Sequence, residues 1–198
     1  MDKTLLVIAG RDCLPAKMVL GAGEVLRLTL VVPPGVSCDL PFQVDLDGPG
    51  AELDLAGLWM SMGCERVRVA PTVRHNAGGA TSHQLFKGLA GGTAHTSFEG
   101  LIQVQRDAQK TEATQQNHNL LLSKTCEAQT RPQLEIYADD VVCSHGATTG
   151  FLNADEQFYM RSRGIPEAEA RRLQILSFLS PILSRLPQEL SEELSGAL

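Results

Sequence analysis

From Glu24 to Gly150 the chain repeats one short theme: apolar and polar residues alternate for a few positions and are then interrupted by Gly, Pro or Asp. Leu26, Leu28 and Leu30 alternate with Arg27 and Thr29; Phe42, Val44 and Leu46 with Gln43 and Asp45; Ala51, Leu53 and Leu55 with Glu52 and Asp54. A period of two places every second side chain on one face of an extended backbone, so each run predicts a half-buried strand. The theme continues in "ERVRVAPTVRHN", "AHTSFEGLIQVQ", "TEATQQNHNLLL" and "QLEIYADDVVCS", with strands starting roughly every ten residues, the spacing of an all-β sandwich, barrel or solenoid. Helical periodicity is absent up to about residue 150.

The turns separate these architectures. Two-residue hairpins favour Asn-Gly or Asp-Gly, and Asp47-Gly48 is the only such dipeptide in the chain. The strands in "SHQLFKG" and "TEATQQNHN" are rich in Gln, Asn, Thr and His, which suit ladders of hydrogen-bonding groups stacked strand over strand. Both observations predict a parallel β-solenoid, a class whose repeats can diverge until no strict period shows in the sequence.

After Gly150 the character changes. Asn153 or Asp155 can cap a helix in "ADEQFYMRSR", Gly164 supplies the left-handed residue that ends it, and Pro166 suits a first turn followed by Glu167 and Glu169. Leu173, Leu176, Leu179, Leu183 and Leu186, widened by Ile175, Phe178 and Ile182, form an apolar stripe expected to pack on the chain's own core, with Pro181 kinking or splitting the helix. The expected division is a β domain over 1–152 and a small helical domain over 153–198.

Composition narrows the function. Hydrophobic residues make up 43% and charged residues 20%, ordinary for a globular chain. No stretch approaches the roughly 18 apolar residues of a spanning helix. The start lacks a basic region followed by an apolar core and cleavage site, so a cytoplasmic protein is expected, without a membrane partner. A net charge of −6 with scattered basic residues argues against a nucleic-acid surface. Cys13, Cys38, Cys64, Cys126 and Cys143 are odd in number and form no C-x-x-C pair, which predicts free thiols rather than disulfides or a structural zinc site. There is no G-x-x-x-x-G-K-[ST] run, so the chain is not a P-loop nucleotide enzyme.

In "VVCSHGATTG", Cys143 and His145 share one face of a strand, with Ser144 opposite. Thiolate and imidazole both ligate transition metals. A free cysteine is equally at home as a small buried hydrophobe, and spacing alone leaves both readings open.

Three stretches resemble one known family: residues 82–123, "SHQLFKGLAGGTAHTSFEGLIQVQRDAQKTEATQQNHNLLLS"; residues 131–150, "RPQLEIYADDVVCSHGATTG"; and residues 155–165, "DEQFYMRSRGI". Together they resemble the SufB/SufD scaffolds of the SUF iron–sulfur cluster assembly machinery, and the SufD branch more than SufB, across roughly residues 75 to 185. The resemblance implies a right-handed parallel β-helix followed by a small helical domain. It also implies a non-enzymatic scaffold that pairs with a SufB-type β-helix or a second copy and docks the SufC ATPase through its C-terminal helices. A transient iron–sulfur cluster is implied and no permanently bound cofactor is expected. Family members usually carry a long N-terminal region ahead of the β-helix; here strands begin almost at once, which suggests a truncated or compact variant.

The same resemblance assigns candidate ligands. The histidine of "CSHGAT" in SufD proteins is associated with cluster assembly at the SufB interface, which points to His145, and less strongly to Cys143. SufB proteins carry an essential cysteine in a segment resembling "CGAHTxP", where this chain reads "CEAQTRP" from Cys126. Cys126 thus takes a SufB-like position, and a homodimer could assemble a thiolate and an imidazole without SufB. The glutamate of the SufB "HEATT" segment is replaced by Gly146. His75, His83, His95 and His118 are expected to be solvent-facing or ladder members, and Arg161 and Arg163 to pair with the helical tail or a partner. A purely structural homodimer and a carbohydrate-active β-helix enzyme are the competing readings; the latter would need clustered catalytic charges on one sheet.

Overall fold

The computed structural model describes residues 2–198. Thirteen strands precede three helices: β1 (Asp2–Ile8), β2 (Lys17–Leu20), β3 (Val25–Val32), β4 (Cys38–Leu46), β5 (Glu52–Ser61), β6 (Arg66–His75), β7 (Thr81–Ala90), β8 (His95–Phe98), β9 (Leu101–Val104), β10 (Glu112–Leu121), β11 (Glu127–Thr130), β12 (Gln133–Ile136), β13 (Val142–Phe151), α1 (Ala154–Ser162), α2 (Glu167–Leu183) and α3 (Gln188–Gly196). The strands form a parallel β-solenoid of about five turns. One sheet has the order β1-β3-β5-β7-β10-β13; the second stacks β2, β4 and β6, then β8 with β9, then β11 with β12.

Alternation decides what lies between the sheets. Leu26, Leu28, Leu30, Phe42, Val44, Leu46, Leu53 and Leu55, all read from the sequence as inward residues, are buried in one core. At its centre Trp59, Phe86 and Phe98 pack together, with the two phenylalanine rings 4.6 Å apart at their centroids. The Phe86 ring fits only because Gly57 lies beside it, where a Cβ would come within 2.4 Å of the ring.

The outer face of the first sheet is apolar too, and the helices cover it. Ile175, Leu179, Ile182, Leu183, Leu186, Leu190 and Leu194 form one cluster with Val31, Ala56, Leu58, Met60, Leu89 and Leu120. The expected stripe therefore packs on the chain's own sheet, except that Leu173 is 38% exposed. Arg185, in the connection that follows α2, pairs with Asp54 on β5 at 2.8 Å, and Lys87 of β7 lies over the Phe178 ring of α2.

Two local expectations change. Asn153, not Asp155, caps α1 by accepting from the Asp155 and Glu156 N–H groups. Pro181 does not split α2, which continues to Leu183. A proline cannot donate to the Ser177 carbonyl four residues back; the Ser180 hydroxyl donates to that oxygen at 2.9 Å instead. The chain breaks at Ser184–Pro187, before α3.

Candidate functional site

β13 is the edge strand of the first sheet and pairs with β10 alone. Its Val142 N–H donates to the Thr111 carbonyl on the β10 side. By strand alternation the N–H groups of Cys143, His145, Ala147 and Thr149 point away from the stack, along an unpaired edge. The last coil leaves large apolar side chains exposed along its length: Val142 70% at the start of β13, Phe151 60% at its far end, and Tyr137 57% and Ile136 40% at the preceding corner.

Cys143 is in register with Ala113 and faces inward, packed near Ile102, Val104, Ala108 and Ala138. Burial pushes its thiol pKa up, opposed by a backbone hydrogen bond from Ala113. A thiol held in its protonated form is the poorer ligand until something displaces the proton. His145 follows two residues later on the same face, about 7 Å along the strand, in register with Gln115 and exposed. The strand therefore presents one thiol and one imidazole side by side.

Cys126 lies elsewhere. In the turn after β10 its Sγ donates to the carbonyls of Ala90 and Ser123, each at 3.2 Å, and its N–H donates to the Ser123 hydroxyl. Ala90 is in register with Leu121, and Leu121 with Phe151. His145 precedes Phe151 by six residues, so Cys126 and His145 are separated by about 20 Å along the strands. A site using both would have to draw them from different chains. Among the described residues no group of three or more His, Cys, Asp or Glu side chains is placed to hold a metal ion. Two donors on one strand fit half of a four-coordinate centre, and a facing chain would have to supply the rest.

The remaining histidines fall into two kinds. His83 bonds Thr114 at 3.0 Å, His118 bonds Thr148 at 2.7 Å and His95 approaches Glu127 at 3.3 Å, each reaching one coil onward as ladder members do. His118 is held below the usual histidine pKa by burial and by the Lys87 charge. His75, by contrast, is neither solvent-facing nor part of such an outer ladder. It is fully buried against Ser82 at 2.9 Å, and burial lowers its pKa to about 4.

At the helical end α1 buries none of its own residues, and Phe158 is 73% and Tyr159 59% exposed. A groove between α1 and α2 is lined by Tyr159, Met160, Leu173, Gln174 and Ser177. Arg161 approaches Glu167 at 3.4 Å and Arg163 lies over the Tyr159 ring, so both are engaged within the helical region. Sequence reading missed the exposed apolar end formed by Ile136, Tyr137, Val142 and Phe151. The signal was a run of strand-like residues with no later strand to cover it.

Comparison with known proteins bears on this geometry. Residues 38–178 match the family model described as SUF system FeS cluster assembly, SufBD core domain. The iron-sulfur cluster assembly protein SufD of Escherichia coli is 40% identical over 144 residues, covering 73% of this chain and 34% of the relative. A SufBD family protein of Synechocystis is 43% identical over 116 residues, 59% of this chain and 26% of the relative. SufD of Bacillus subtilis is 30% identical over 145 residues, 73% of this chain and 33% of the relative. The chain spans about a third of the length of these curated relatives. No helix among the described residues is long and apolar enough to cross a membrane.

Proposed function

Because this chain belongs to the SufBD core family of the SUF iron–sulfur cluster assembly system, we propose that it is a non-catalytic, cytoplasmic scaffold for cluster assembly that works at the free edge of its last coil. The observation that carries this reading is the coincidence, on one edge strand, of unpaired backbone, exposed apolar residues and the Cys143/His145 pair. A SufB-type β-helix or a second copy of the chain would pair along β13, burying Val142, Phe151, Tyr137 and Ile136. The same contact would bring facing donors to His145, with Cys143 as a further donor after loss of its proton. The iron–sulfur cluster is cargo at this seam.

Cys126 has a separate place in the proposal. In a homodimer it contributes only if the partner's turn approaches β13, because the two groups are about 20 Å apart within one chain. The ATPase partner, of SufC type, would dock on the groove between α1 and α2, with Phe158 and Tyr159 as apolar anchors. ATP hydrolysis belongs to that partner, and its rearrangement would reach β13 through α2 and the first sheet.

Anaerobic reconstitution with iron and sulfide tests the proposal, on the chain alone and with a co-expressed SufB-type scaffold and SufC-type ATPase. Wild type, Cys126→Ser, Cys143→Ser and His145→Ala are compared by absorbance, iron content and mass. The expected result is a co-purifying complex whose iron content falls several-fold in His145→Ala. A chain that neither captures the partners nor holds iron, with all variants alike, leaves the purely structural reading.

A further inference from the structure

Two glutamines stand in a column beneath His145 inside the solenoid. Gln84 on β7, Gln115 on β10 and His145 on β13 occupy one register position, so they are stacked at the inter-strand spacing of about 4.8 Å. Both amides are enclosed, with Gln84 2% and Gln115 0% exposed. Gln115 Nε2 donates to Gln84 Oε1 at 2.9 Å. Gln84 Nε2 and Gln115 Oε1 are left buried without partners.

The positions of the two orphans have a direction. In an amide ladder each nitrogen donates to the coil on one side and each oxygen accepts from the coil on the other. Toward the N-terminal coils the ladder ends at Leu55, in register with Gln84 and unable to accept. Toward the last coil it ends at His145, whose ring carries an N–H in either neutral tautomer. By that sense, the free Gln115 Oε1 is the acceptor that a donor on the last coil would complete. Gly100, across the interior, leaves room for this amide: a Cβ there would come within 2.4 Å of Gln115 Oε1 and 2.6 Å of Nε2.

We infer that Gln115 is a positioning residue for His145, its buried Oε1 accepting the N–H of one ring nitrogen. The bond selects one neutral tautomer and leaves the other nitrogen's lone pair for a ligand at the strand edge. The structure holds the ring short of this bond, since Oε1 has no partner, and rotation about its two side-chain torsions would have to carry the N–H across the one-strand gap of about 4.8 Å. The functional part rests on the reading of His145 as a cluster ligand; the hydrogen bond does not.

The test uses the full chain labelled with 15N at its histidines. Two-bond 15N–1H correlation at neutral pH reads the tautomer of each ring, with His145→Ala assigning its signal. Wild type is expected to show one dominant His145 tautomer. Gln115→Met, which removes the acceptor, should reduce that preference about tenfold, while Gln115→Glu, which keeps an acceptor, should retain it. An even tautomer mixture in wild type, or a Gln115→Met spectrum identical to wild type, overturns the inference. The wild-type tautomer ratio alone can exclude the hydrogen bond, even where Gln115→Met misfolds. In reconstitution with partners, Gln115→Met should lower iron retention in the same direction as His145→Ala. A fixed tautomer in a chain whose iron content ignores His145 would keep the hydrogen bond and remove the ligand role, so the two failures are distinct.

Discussion

Glu65 fastens two turns at once. Its carboxylate accepts from the Gly35 N–H at 2.9 Å and the Gly63 N–H at 2.7 Å, joining successive coils at one corner. Burial raises its pKa, yet the backbone donors at Glu65, Gly63, Gly35 and Met62 hold the balance below the usual glutamate value. Glu65→Ala is expected to cost about 2 kcal/mol, read as a lower urea midpoint. His75 sets a different pH dependence. Its pKa is about 4 in the fold, against about 6.5 for an unfolded chain, so the unfolded state binds more protons between those values. Stability is therefore complete above about pH 6.5 and falls with acidification by up to about 1.4 kcal/mol per pH unit until about pH 4. His75→Leu should flatten that slope in urea titrations from pH 7 to 5, whatever it does to the midpoint at pH 7. Glu65, with a depressed pKa, contributes its own loss only below about pH 4.5. At this scale the sequence was legible for Cys143 and His145, since alternation alone puts them on one face. It was silent on Gln115, because a glutamine in a polar strand gives no sign of whether it faces water or the interior.

The helices and the last strand show how much of an element's behaviour its own residues decide. The stripe from Ile175 to Leu186 was readable from its spacing; its destination, the outer face of the first sheet, depended on Ala56, Leu58 and Met60 being apolar on both sides of their strand. Leu179→Ala, at a fully buried position, should cost about 3 kcal/mol in chemical denaturation, as large-to-small changes in packed cores do. The Arg185–Asp54 contact is partly exposed, so a double-mutant cycle is expected to give a coupling below about 1 kcal/mol. Pro181 does not split the helix, and the neighbouring Ser180 takes the orphaned carbonyl, a compensation visible only once the helix is formed. For β13, Ala147→Pro removes an N–H that points away from β10. It should leave the monomer folded and abolish pairing along the edge, with analytical ultracentrifugation of the complex as the readout.

At the scale of the whole molecule, the coil is the unit that the sequence concealed. Residues at one register position are 27 apart between Val25 and Glu52, 29 between Glu52 and Thr81, 31 between Thr81 and Glu112, and 30 between Glu112 and Val142. Part of the drift lies in one corner, which takes the five residues Asp47–Ala51 before β5 and the seven residues Gln105–Thr111 before β10, and part in the shorter strands β3 and β4. Strand alternation survives such drift because it is local, whereas a fixed repeat does not, which is why the solenoid was legible by pattern and not by period. The candidate site was legible only as a strand, since its openness depends on where the stack stops.

That stopping point also orders the molecule in time. In a stack where each coil touches only its neighbours, opening propagates from the ends, and a terminal rung opens at less cost than one held on both sides. The amides of β13 that bond to β10 should exchange with deuterium faster than those of β7, and a partner laid along the edge should slow them toward the interior rates. The strand that presents His145 would then be the one whose order a partner controls, so that assembly and fraying compete for the same row of backbone groups.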